Sequence, residues 1–171
     1  MNLNIPYMET DNKLLNDAYR IAAGDIVGNI VYYQNGLLTE EKPCMIAGLD
    51  YNTPWTRDTA INIWNALSIL SPEVSKNTLL AVLEEEEGNI YIGGQYWDSI
   101  IWMIGAREYC RFHKDDNFYR LAFKAGRNSV HRLEEDEFDE EDGLFRGPAV
   151  YGDGIAAYPD KYSKCPNQGS G

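Results

Sequence analysis

Apolar positions recur at helical spacing over most of this chain. From Asp11 to about Gln34, Leu14, Ala18, Ile21, Ala22, Ile26 and Ile30 trace one face of a helix, with Thr10 as candidate N-cap. Gly24 and Gly28 weaken that helix and let another element come close. Turn signals bound a loop from Asn35-Gly36 to Thr53-Pro54. A second helix is predicted from near Arg57 to Leu70, apolar on nearly every side. Ser71-Pro72-Glu73 then supplies an N-cap, a first-turn proline and a first-turn acid, starting a third helix that runs to the Glu84–Glu87 cluster. Gly88 to Gly94 reads as a loop or short strand. A fourth helix, from about Gln95 to His113, is apolar around most of its circumference, and a fifth, from about Asp116 to Glu135, is amphipathic.

A helix apolar all round must be covered on every side, whereas an amphipathic one lies at a surface. The order amphipathic, buried, amphipathic, buried, amphipathic is what a two-layer ring of helical hairpins produces. An ordinary bundle with buried central helices produces it too. In either case the expected fold is all-α, and the 171 residues suit one domain.

Composition narrows the partners. Hydrophobic residues make up 44% and charged residues 25%, which is globular rather than disordered composition. A formal net charge of -12 argues against nucleic acid, whose phosphates need clustered Lys and Arg, and favours neutral ligands. No apolar run is long enough to span a bilayer, so no membrane partner is expected. The Met1 to Pro6 start lacks a signal-like pattern, and three widely spaced cysteines, Cys44, Cys110 and Cys165, favour free thiols in a reducing compartment such as the cytoplasm. With His113 and His131 the only histidines, no metal or other cofactor is expected.

Three segments carry candidate chemistry. In Trp55-Thr56-Arg57-Asp58-Thr59, at a helix start, an Arg and a carboxylate side by side suit vicinal sugar hydroxyls, and an indole suits the apolar face of a pyranose. Asp58 complementing the helix dipole, with Arg57 as surface charge, is the simpler account. In Gly93-Gly94-Gln95-Tyr96-Trp97-Asp98, two glycines open a helix whose first turn offers Trp97 for stacking and Asp98 for hydroxyls. Equally, Trp97 fills the core and Asp98 caps the helix. The loop from Asp142 to Pro159 is long, Gly-rich and aromatic, and holds Asp153 between two glycines beside Tyr151, either a functional loop or a tight Gly-Asp-Gly turn. The acidic run Glu134 to Asp142 fails the EF-hand pattern, because Phe138 falls at the first ligand position, and reads as a solvated helix end.

Together these motifs resemble the six-hairpin glycoside hydrolases, the (α/α)6-toroid superfamily. Trp55-Thr56-Arg57-Asp58-Thr59 resembles the Trp-x-Arg-Asp entry motif of glucoamylases and glycogen-debranching glucosidases. The stretch from Asp142-Gly143-Leu144 to Gly152-Asp153-Gly154 resembles the Asp-Gly-Leu…Gly-Trp-Asp segment of processing glucosidases, trehalases and mannosylglycerate hydrolases, although Tyr151-Gly152 stands where that segment places Gly-Trp.

The resemblance implies that Arg57 and Asp58 hold hydroxyls of the sugar in the −1 subsite. It makes Asp153 the general acid, with Asp98 as the alternative. Trp55, Trp97, Asp98 and Tyr151 would help bind the sugar. The implied reaction is inverting hydrolysis of an α-linked glycosidic bond, with a second carboxylate about 6.5–9.5 Å from the acid. The family's base is a Glu near the end of the toroid, and residues 1–171 contain no match to it. The chain is therefore expected to be the N-terminal part of such a domain, completed by a C-terminal half or by self-association. A non-catalytic helical module that binds carbohydrate or protein through the same groove is the alternative.

Overall fold

The computed structural model describes residues 3, 5–48, 50–94 and 97–145, with only the backbone of Trp97 described. It is mostly helical. In chain order the elements are α1 (Lys13–Gly28), β1 (Ile30–Tyr33), β2 (Lys42–Met45), α2 (Thr56–Asn62), α3 (Ser68–Leu70), α4 (Pro72–Ala81), β3 (Leu83–Glu86), β4 (Asn89–Ile92), α5 (Trp97–His113), α6 (Asp116–Glu137), β5 (Phe138–Asp139) and β6 (Leu144–Phe145). A π-helical turn, Ile63–Leu67, joins α2 to α3, so residues 56–70 form one continuous rod. The strands pair as three separate antiparallel ribbons, β1 with β2, β3 with β4, and β5 with β6.

The core lies between the 56–70 rod, α4, α5 and α6. Trp102, Ile63, Leu67, Leu79 and Leu83 are fully buried in it, and the Trp102 indole N–H donates to the Leu79 carbonyl at 3.3 Å. Where α2 meets α5, a Cβ on Gly105 would stand 2.8 Å from the Ala60 Cα, so only glycine permits this approach. The Ser71 start of α4 is as its sequence predicts: the Ser71 hydroxyl accepts from the Val74 N–H, and Pro72 occupies the first turn.

Three expectations are corrected. The first helix stops at Gly28 rather than Gln34, because Ile30-Val31-Tyr32-Tyr33 is β-branched and aromatic and pairs with β2. Its N-cap is Asn12, whose side chain accepts from Leu14 and Leu15, and not Thr10. The Glu84–Glu87 cluster is no helix end: α4 closes at Ala81, and Leu83–Glu86 forms a strand. Glu87 and Gly88, at φ 50° and 78°, make the two-residue turn into β4, and positive φ at both central positions suits the twist of a tight hairpin.

The fourth correction concerns burial. The second and fourth helices are not covered on all sides, since Ile61, Trp64 and Ile69 on the first rod and Ile100 and Ile104 on α5 stay exposed. Nor does α1 bury a single residue fully; Leu14 and Ile21 on it are exposed. No helix among the described residues is long and apolar enough to cross a membrane.

Candidate functional site

The local sequence around Gly93 and Gly94 brings two of the three candidate segments together. Gly93 follows β4, and its N–H donates to the Val82 carbonyl at 2.9 Å. The Thr56 hydroxyl, at the start of α2, donates to the Gly93 carbonyl at 2.9 Å. Gly94 then turns the chain into α5 with φ 105°, a conformation that side chains resist. A Cβ there would also meet the Asp98 Oδ2 at 2.8 Å and the Thr56 Oγ1 at 2.9 Å. These contacts fix the starts of α2 and α5 side by side.

Between them lies a cavity of about 220 Å³. Its wall includes Trp55 and Thr56 from the start of α2, Glu84 from β3, Gly93 and Gly94, and Asp98 from the first turn of α5. Tyr33 and Asn35 close another side, and the Asn35 amide donates to the Ala81 carbonyl at 3.4 Å. Gly36 makes that closure feasible: at φ 59° it presses on the last carbonyls of α4, where a Cβ would come within 2.6 Å of the Leu80 oxygen.

Asp98 is almost wholly buried, and its Oδ1 lies 3.7 Å from the Arg57 Nε. Arg57 is thus an ion-pair partner of Asp98, standing beside the cavity rather than in its wall. Arg57 is therefore more than bare surface charge. Trp55 is half-buried, braced edge-on by Tyr51 at 5.6 Å between ring centroids. Its indole N–H is shielded from solvent and has no acceptor among the described residues. A buried donor in a cavity wall is a natural place for a ligand oxygen.

Asp58 sits in the first turn of α2 and is half-buried; it does not line the cavity. The backbone of Trp97 opens α5. Asp153 and Tyr151 lie outside the described residues. No cluster of three or more metal-ligating side chains occurs among the described residues.

No family model, curated protein or solved structure matches the chain. Sequence reasoning missed Glu84, because its Glu-rich neighbourhood read as a helix end. Gly88 followed by Asn89-Ile90-Tyr91-Ile92 marks the second arm of a hairpin, and pairing it backwards across a two-residue turn reaches Glu84 opposite Tyr91. A Cβ on Gly93 would stand 2.6 Å from the Glu84 Oε1. A Cβ on Gly94 would meet Asp98, so Glu84 and Asp98 both pack against the Gly93-Gly94 backbone.

Proposed function

We propose that this chain is an inverting glycoside hydrolase of the (α/α)6-toroid kind, or the N-terminal part of one, acting on an α-linked sugar. The observation that supports this reading best is the meeting of the Trp55-Thr56-Arg57-Asp58 segment and the Gly93–Asp98 segment at one cavity, with Arg57 paired to Asp98. Trp55 offers an indole face and an N–H, and Asp98 accepts from hydroxyls while Arg57 holds it in place. In this reading Arg57 and Asp58, beside the cavity wall rather than in it, are the residues assigned to hydroxyls of the −1 sugar. The cavity falls below the range of about 300–1,000 Å³ usual for drug-sized ligands and suits a single ring. Trp97 and Tyr151 belong to the same subsite in this reading, and Asp153 is the proton donor.

The toroid also accounts for the uncovered apolar stripe on the 56–70 rod and on α5. In a ring these inner helices face further helices across the axis. Hydrolysis of a panel of α-linked di- and oligosaccharides, with Asp153→Asn in parallel, tests the reading. Turnover should vanish in Asp153→Asn while sugar binding persists. Sugar binding without turnover in either protein is the result for a chain lacking the family's base or for a carbohydrate-binding module, and no binding and no turnover in either protein would overturn the sugar reading.

A further inference from the structure

We infer that the chain assembles head to tail, the acidic β5–β6 hairpin of one copy seating in an apolar groove between α5 and α6 of a second copy. This goes beyond the glycosidase reading and does not depend on it. The groove encloses about 150 Å³, the scale of an apolar cavity that takes up one benzene ring. Trp102, Ala106 and Ala122 are buried at its floor, and Tyr119 and Phe123 on α6, both more than half exposed, form a wall. Arg107 lines it from α5. Arg120 and Arg127 lie three and four residues from Phe123, on the same face of α6. All three arginines are exposed, and none pairs with a carboxylate among the described residues.

The charges of α6 run against its own stability. Residues 116–127 carry Arg120, Lys124 and Arg127 against one acid, Asp116, whereas residues 134–142 carry eight acids and no Lys or Arg. Acids near a helix C-terminus oppose the macrodipole, and the like charges of Arg120 and Lys124, four residues apart, repel. A contact in which the acidic end of one copy meets the basic groove of the next accounts for both ends at once. The hairpin also offers the apolar groups that the groove lacks. Phe138 and Phe145 pack at 5.1 Å between ring centroids, and with Leu144 they stay exposed beside Glu140, Glu141 and Asp142. A single copy cannot close this contact on itself, because Phe123 lies 15 residues before Phe138, about 22 Å back along the helix. Groove and hairpin are different surfaces, so the contact repeats from copy to copy.

Sedimentation equilibrium of the whole chain at physiological ionic strength tests this. The screening length there is about 8 Å, so charges in contact still attract while repulsion between whole chains of net charge -12 is damped. The contact is small and the association correspondingly weak: the weight-average mass of the parent should at least double between about 5 and about 500 µM. A groove variant, Arg107→Glu with Arg127→Glu, and a hairpin variant, Leu144→Asp, change only exposed positions and should each stay monomeric over that range. Mixed in equal amounts they should form a dimer and nothing larger, because one intact hairpin then meets one intact groove. That recovery shows at the same time that both variants are folded. Phe123→Ala, a milder change, should weaken the association of the parent at least about fivefold with its unfolding midpoint unchanged. A parent that stays monomeric, a Phe123→Ala chain that associates as the parent does, or a mixture of folded variants that stays monomeric would each overturn the inference. Association that persists in either variant alone would do the same, and would place the contact on another surface, such as the uncovered stripe of the 56–70 rod.

Discussion

At the scale of single residues, the chain repeatedly uses one side chain for two jobs, and Asp115 shows how that affects stability. Its carboxylate accepts from the Phe118 N–H as the N-cap of α6 and pairs with the Lys76 ammonium of α4 at 2.6 Å. The Lys76 contact, and then the Phe118 N–H, hold the Asp115 carboxyl below its ordinary range. A depressed carboxylate contributes stability above its unfolded value of about 3.9, and that contribution fades as pH falls through the folded value. Asp115→Asn keeps a capping oxygen but gives up the ion pair. At pH 7 it should cost less than about 1 kcal/mol, since both partners are partly exposed. In urea unfolding followed against pH, the gap between parent and variant should close as pH drops below about 4. A gap that is constant with pH would mean that the charge contributes nothing. A cap was legible for Ser71, because an N-cap followed by proline is a local signal. The ion pair of Asp115 was not, since its partner Lys76 is 39 residues away.

At the scale of elements, the close contact of α2 with α5 positions the site. Gly105 against Ala60 lets the two helices approach closely, and so places Thr56 and Asp98 at the head of the same crevice. Gly105→Ala puts a methyl group into the Ala60 backbone and should cost about 1–3 kcal/mol by overpacking. The denaturation midpoint reads that loss. An unchanged midpoint would show that the crossing is looser than this contact implies. Periodicity predicted both helices and their apolar character, since it depends on residues three and four apart. It could not predict the crossing, because nothing local marks Gly105 as the residue that meets Ala60. For the same reason the β3–β4 hairpin, and with it Glu84, was mistaken for a helix end: four successive glutamates suit a solvated helix as well as an edge strand, and only the Glu87-Gly88 turn decides.

At the scale of the whole molecule, the predicted alternation of covered and half-covered helices is realised on one side only. Ile63, Leu67 and Trp102 enter the core, while Ile61, Trp64 and Ile100 on the same helices stay exposed. Sequence pattern reports that a position is apolar and does not report what covers it. At the cavity where α2, β3 and α5 converge, two indoles provide a built-in comparison. The Trp55 N–H points to no described acceptor, whereas the Trp102 N–H is bonded to Leu79 in the core. The decisive measurement is a nitrogen-proton correlation spectrum of the indole groups during titration with the α-linked sugar panel, with Trp55→Phe used to assign the signal. A sugar site predicts a saturable shift of the Trp55 indole with the Trp102 indole unmoved. A Trp55 signal that stays fixed with every sugar, or that moves only in step with Trp102, would contradict it.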